Sequence, residues 1–401
     1  MSDSDTPKLR LIDTQPIEYE GATYLYLRDP LELTEKNLLV PQPMVPLLAL
    51  CDGTRNRAAL RGALALRYGV FLSPDRIDEM IEALDDALLL DNERTAQARL
   101  DAQKQFRAAP FRTPASAGHA YPKEREELRA YLQGYYDSLN GGVQPVGSVR
   151  GIISPHIDYD RGGPVYAQVW GASAEAVREA DLAIIFGTDH FSEGYPISLT
   201  RQNYATPFGV LPTDVAIVDK LAEAVGPIAY AGELHHRREH SIELAAVWLH
   251  HLRGEAPIAL VPVLTGSLGP NGSKLETSVD WDRVLEVLRE ATAGRNVIVI
   301  AAGDLAHVGP AFGGEPVDPG KLMLLKGADD ELIRAMCAGD AEGFYRAIER
   351  VQDANNVCGV SPIYLTLRML APLAGQSHGY AVCPADQQNT SVVTICGVTL
   401  Q

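Results

Sequence analysis

Val149-Arg150-Gly151-Ile152-Ile153-Ser154-Pro155-His156-Ile157-Asp158 is a β-branched run of strand length that ends abruptly in a proline, a histidine and an aspartate. Two later stretches share its design. Leu182 to Phe186 runs into Gly187-Thr188-Asp189-His190, and Val297 to Ala301 runs into Gly303-Asp304-Leu305-Ala306-His307. Further apolar runs lie at Ile258 to Leu264 and, with alternation, at Val392-Val393-Thr394-Ile395. Between them Asp214 to Val225 and Trp281 to Ala293 read as surface helices, and Ser241 to Leu252 as a more buried one. Short strands alternating with helices predict an α/β fold, a central sheet flanked by helices. In open sheets of this class the ligand crevice lies at the carboxyl ends of the strands. If the three strands are parallel neighbours, His156, His190, Asp304 and His307 share one site. One histidine after a strand is more often a hydrogen-bonded loop residue, but three such strand ends point to a cluster.

Outward from these strands, Asn355-Asn356-Val357-Cys358-Gly359-Val360-Ser361-Pro362 leads into a helix over Ile363 to Leu370, with Ser361 as its cap and Pro362 in its first turn. Cys358 then sits just ahead of a helix N-terminus, where the dipole favours a thiolate that can ligate a metal or act as a nucleophile. Cys51, Cys337, Cys383 and Cys396 read as small buried apolar residues. Glu239-His240-Ser241-Ile242-Glu243 starts another helix. His240 there suits an acid/base or substrate-orienting role, with helix capping the equal alternative, because the spacing is not HExxH. His235 with His236, and His250 with His251, read as solvated pairs on polar faces.

The whole chain has 401 residues, with 35 Lys and Arg against 52 Asp and Glu, a net charge of −17. No long basic cluster offsets that balance, which speaks against nucleic acid and anionic lipid as partners. No apolar run reaches the roughly 20 residues of a membrane span, Met1 to Arg10 is polar, and the five cysteines form no CxxC pair. A cytoplasmic protein with reduced thiols is the expectation. Gly162-Gly163 lacks the spacing of a dinucleotide fingerprint. Residues 1–95 read as a small all-helical, winged-helix-like unit: Pro43 to Leu50, Ala58 to Tyr68, and a helix capped by Ser73-Pro74 with Ile77, Met80, Ile81, Leu84 and Leu88 on one face. Residues 96–114 follow as a linker, although Asn92 to Gln105 also fits an exposed bridging helix, and 115–401 form the α/β domain.

Several blocks, in order, resemble the signatures of the Memo-like family. They are Ala117-Gly118-His119-Ala120-Tyr121-Pro122, Ser154-Pro155-His156-Ile157-Asp158-Tyr159, Gly187-Thr188-Asp189-His190, Ala205-Thr206-Pro207-Phe208-Gly209, Glu239-His240-Ser241-Ile242-Glu243, Val261-Pro262-Val263-Leu264, Gly303-Asp304-Leu305-Ala306-His307 and Val357-Cys358-Gly359. The resemblance implies a fold like that of the class III extradiol (LigB-type) non-haem iron dioxygenases. It implies His156, His190 and Cys358 as metal ligands, with Asp304, His307 and His240 lining the pocket. Two imidazoles and a thiolate suit iron(II) or copper, with zinc a further option. The implied function is a dioxygenase-like oxidoreductase acting on an unknown small molecule or a modified peptide, with His307 or His240 as proton carrier and Asp304 orienting His307. A non-catalytic peptide-binding scaffold, a metal-dependent hydrolase and a metal-free Cys358 nucleophile are the alternatives.

Two departures stand out. Val360 follows Gly359 where many relatives carry a basic residue, and Ile157-Asp158 stands where others have Ala-Gly, so that Asp158 becomes a candidate partner for an imidazole. The N-terminal unit resembles the small PqqD-type winged-helix proteins that bind peptides for radical-SAM enzymes, through Leu48-Ala49-Leu50-Cys51-Asp52-Gly53-Thr54-Arg55, Tyr68-Gly69-Val70 and Leu88-Leu89-Leu90. Memo-like proteins belong to the three-component AmmeMemoRadiSam set, as its system protein B, which implies a radical-SAM protein and an AMMECR1-type protein as partners.

Overall fold

The computed structural model describes residues 6–139, 142–256, 258–266 and 279–401, so the start of the polar stretch Met1 to Arg10 lies outside the described residues. The chain divides into two compact units, Met1–Ala108 and Ala109–Gln401.

The first unit opens on an antiparallel sheet, β1 (Asp13–Tyr19), β2 (Ala22–Arg28) and β3 (Leu38–Pro41), which corrects the all-helical reading. The turn between β1 and β2 is two residues long, Glu20 and Gly21, both with positive φ (51° and 76°). That is the geometry matching the twist of paired strands. Most of β1 and β2 is exposed or half-buried, so their sequences show no in-out alternation to read. Four helices follow, α1 (Val45–Leu50), α2 (Arg57–Tyr68), α3 (Pro74–Asp86) and α4 (Glu93–Ala108). Ser73 caps α3 by accepting from the Arg76 amide, as its Ser-Pro signal predicts. Leu47, Leu60, Leu64, Ile77, Ile81 and Leu84 close a core against Leu27 and Val40.

The second unit runs α5 (Arg125–Asp137), β4 (Gly151–Ser154), α6 (Tyr159–Ala172), α7 (Ala174–Glu179), β5 (Leu182–Thr188), β6 (Ile197–Leu199), β7 (Tyr204–Thr206), β8 (Gly209–Leu211), α8 (Val215–Val225) and α9 (Ser241–Arg253). It continues with β9 (Ala259–Thr265), α10 (Trp281–Ala291), β10 (Val297–Ala302), β11 (His307–Val308), α11 (Pro319–Cys337), α12 (Ala341–Arg350), α13 (Val360–Leu370), β12 (Gly375–Pro384) and β13 (Val392–Leu400). One mixed sheet has the order β11-β13-β4-β10-β5-β9-β6, with β12 on β13. Its centre, β4, β10, β5 and β9, is parallel, while β13 and β6 pair antiparallel to it.

Helices cover both faces, which is why every residue of β5 and β13 is buried, including Thr394 and Thr399 of the alternating β13 stretch. On one side α8, α10, α12 and α13 pack Leu221, Leu288, Phe344 and Ile363 onto the sheet. On the other, α5, α6 and α9 bring Leu132, Trp170 and Trp248. Among the described residues no helix is long and apolar enough to cross a membrane.

Candidate metal centre

Parallel register settles the convergence. Ala302, the last residue of β10, pairs with Ser154 of β4 on one side and Gly187 of β5 on the other. The loops carrying His156, His190 and Asp304 therefore leave the sheet at one level. The His156 ring centroid lies 4.9 Å from that of His190 and 5.4 Å from that of His240, and His190 stacks on His240 at 4.8 Å. His156 places Nδ1 3.0 Å from the Ala302 carbonyl and Nε2 3.1 Å from the Cys358 sulfur. Donor atoms of His156, His190 and Cys358 lie within 4.8 Å of one another, and so do those of Asp304, His307 and Cys358. Above them opens a cavity of about 460 Å³, whose walls include His156, His190, His240, Asp304, His307 and Phe312.

Cys358 arrives by a close backbone approach. Its amide donates to the Leu305 carbonyl at 3.3 Å and that of Gly359 to the Asp304 carbonyl at 2.9 Å, laying the segment along the loop that leaves β10. A Cβ at Gly303 would stand 2.6 Å from the Gly359 Cα, and one at Gly359 would stand 2.5 Å from the Asp304 carbonyl oxygen. The helix behind begins earlier than its Ser-Pro signal predicts. Gly359 occupies the cap position, and the Ser361 hydroxyl donates to the Gly266 carbonyl at 2.6 Å.

The acidic residues divide by task. Asp304 accepts from the amides of His156 (2.8 Å) and Ile157 (3.3 Å), so it fixes the His156 loop, whereas His307 turns Nδ1 to the Leu305 carbonyl at 3.2 Å. Asp158 is no partner to an imidazole: it caps α6 and pairs with Arg161. Glu243 is buried against Arg112 and accepts from the Ala115 and Ser116 amides and the Tyr121 hydroxyl, which ties the segment before α5 to α9. Glu239, which the sequence marks only as a neighbour of His240, is wholly enclosed. Its Oε2 accepts from the His190 amide at 2.9 Å and its Oε1 from the His240 amide at 2.7 Å. His240 itself stands at the cap position of α9.

The two histidine pairs read as solvated are not exposed. His235 is buried with Nδ1 2.7 Å from Asp189, and although burial opposes its charge, Asp189 and Glu193 push its pKa up to about 9. His236 lies between the Tyr204 hydroxyl (2.6 Å) and the Ser198 carbonyl (2.8 Å), and burial takes it down to about 3. His250 is buried 2.7 Å from the Thr206 hydroxyl, and His251 is half-buried beside Tyr136. Burial lowers both to about 4. Nearly every side of α9 is buried, so adjacent histidines there do not signal a wet face.

Burial, reinforced by His190 and His240, holds His156 well below the usual histidine range, leaving a neutral imidazole. At His190 burial works the same way, but the Glu239 carboxylate and then Cys358 outweigh it and raise the pKa well above normal. Burial raises the Cys358 thiol against the pull of His190, and raises the Asp304 carboxyl against that of His307. A cavity holding two imidazoles and a thiol fits a borderline or soft transition-metal ion, which would displace the thiol proton on binding.

The Memo-like protein family pattern matches residues 112–397. A MEMO1 family protein of Aquifex aeolicus is 29% identical over 307 residues, 77% of this chain and 77% of its own length. One from Methanosarcina mazei is 30% identical over 265 residues, covering 66% of this chain and 88% of the relative. One from Archaeoglobus fulgidus is 28% identical over 258 residues, 64% and 86% of the two chains. The matched span takes in every wall of the cavity, from Ser116 to Val393, and the chain belongs to the Memo-like family.

Proposed function

We propose that the protein is a non-haem iron- or copper-dependent oxidoreductase, dioxygenase-like in its chemistry, acting on a small molecule or a modified peptide in a radical-SAM-associated pathway of the cytoplasm. The observation that carries this reading is the mutual approach of the His156, His190 and Cys358 donor atoms to within 4.8 Å beside a cavity. A metal held by these three residues supplies a Lewis acid and a redox centre there. His156 keeps its place through the two backbone amides gripped by Asp304. His240 and His307 stand in the cavity wall, where they are the proton carriers of this reading, and Phe312 packs edge-on against His307. A radical-SAM protein and an AMMECR1-type protein are the proposed partners, with the PqqD-like N-terminal unit presenting a peptide.

Metal analysis of protein purified anaerobically, without chelators or a nickel column, tests the reading. One iron or copper per chain in the wild type and little in His190→Ala is the expected result. A wild-type protein without stoichiometric redox metal sinks it.

A further inference from the structure

Glu239 has an unusual position for a carboxylate. Its side chain is fully buried, yet it is surrounded by donors from two separate elements. From the loop after β5, the His190 amide donates to Oε2 at 2.9 Å, and the His190 Nδ1 lies 3.0 Å from both oxygens. From the start of α9, the amides of His240 and Ser241 donate to Oε1 at 2.7 and 3.0 Å, and the His240 Nδ1 stands 3.2 Å from the same oxygen. The two rings it serves are stacked 14° from parallel.

We propose that Glu239 is a positioning residue for two imidazoles at once, holding the Nδ1–H of both His190 and His240 so that each presents Nε2 to the cavity. For His190 this rests on the metal reading above; for His240 it stands apart from it. An ionised carboxylate only accepts hydrogen bonds, so a ring nitrogen placed against it must carry the proton. The ring's other nitrogen then faces the cavity, where its lone pair, once unprotonated, is the one a metal ligand or a proton acceptor uses.

The carboxylate is fixed by the protein itself. The Glu239 carbonyl accepts from Nη2 of the buried Arg112 at 2.8 Å, and the Ser241 hydroxyl donates to the Thr188 carbonyl at 2.8 Å. Only a glycine at 187 lets α9 come so near β5, because a Cβ there would stand 2.6 Å from the Ser241 hydroxyl and from Ile242. The start of α9 also favours negative charge, because its first amides have no partner within the helix and point toward Glu239. One acid thereby couples a ligand to a proton carrier, and removing it disturbs both.

Long-range ¹H–¹⁵N spectra of the metal-free, imidazole-labelled full chain test this, with ring signals assigned through His190→Ala and His240→Ala. Both rings are expected to carry a proton on Nδ1 in the wild type, whether or not Nε2 carries one as well. In Glu239→Gln at least one shifts toward a mixture, since a carboxamide must turn its NH₂ toward one set of donors. Cobalt(II), used as the probe metal in competition titrations, should bind Glu239→Gln about 10- to 100-fold more weakly. Either ring found with a bare Nδ1 in the wild type overturns the proposal, and so does a folded Glu239→Gln with both Nδ1 signals unchanged. If that variant does not fold, the wild-type tautomers decide. A wild type with both Nδ1–H rings but no cobalt binding fails the metal reading and leaves the role of Glu239 standing.

Discussion

The Cys358 sulfur lies 3.1 Å from Nε2 of His156, across 202 residues of sequence. The pair lies where the segment ahead of α13 meets the end of β4. Replacing the sulfur by oxygen in Cys358→Ser removes the soft donor at little cost in packing, because the hydroxyl is close in size and keeps polar partners in Nε2 of His156 and the Asp304 carbonyl. Copper(I) affinity should fall by more than tenfold in equilibrium competition, while the metal-free protein keeps its melting temperature to within a few degrees.

Gly359 is a sharper probe of how the sulfur is delivered. A methyl group on it would meet the Asp304 carbonyl at 2.5 Å and the Ile363 side chain at 2.9 Å, and a backbone atom cannot rotate away. Gly359→Ala should cost about 1–3 kcal/mol and lower metal stoichiometry. Gly327, inside α11 with nothing within 4 Å of an added Cβ, is the control. Gly327→Ala should be neutral or stabilise by up to about 1 kcal/mol, and thermal denaturation of the two variants reads the contrast.

The buried pair of Arg112 and Glu243 invites a different test. Arg112 also donates to the carbonyls of His236 and Glu239, each at 2.8 Å, so its loss leaves a buried carboxylate and two carbonyls without their cation. Arg112→Met should lower stability by about 3–5 kcal/mol in urea denaturation. Adding Glu243→Gln should recover part of that loss, because the uncompensated charge is then gone.

Asp329, on α11, is buried and accepts from the Tyr380 hydroxyl at 2.8 Å. Burial pushes its carboxyl pKa up from 3.8 to about 6. Between those values the folded state binds more protons than the unfolded one, so stability falls as pH rises from about 4 to about 6. A rise of that size is worth about 3 kcal/mol, lost on reaching neutral pH. Asp329→Asn should flatten this slope and raise the melting temperature at pH 7; an unchanged slope in urea titrations across that pH range would show that another group dominates.

The site was legible where one residue's local context was enough. His156, His190, Asp304 and His307 each follow a short apolar, Ile-containing run of strand length, and Cys358 precedes a proline-marked helix. Their meeting was conditional, because which strands are neighbours depends on long-range pairing that no window of sequence contains. Glu239 escaped for a related reason: an acid beside a histidine at a helix start looks like an exposed cap until the loop after β5 folds over it. Asp158 misled in the opposite direction, a carboxylate two residues from the candidate ligand His156 that the helix N-terminus claims for itself. The strands β1 and β2 were unreadable because neither face of them is consistently buried.

The insertion of β13 between β4 and β11 bears on synthesis at the ribosome. As the chain emerges, the two imidazoles appear long before the thiol, and the strand that seals β4 comes from residues 392–400. An ion captured early would find nitrogen donors alone. On the proposed ligand set, a sulfur donor joins the two imidazoles only once residue 358 has been made, 168 residues after His190.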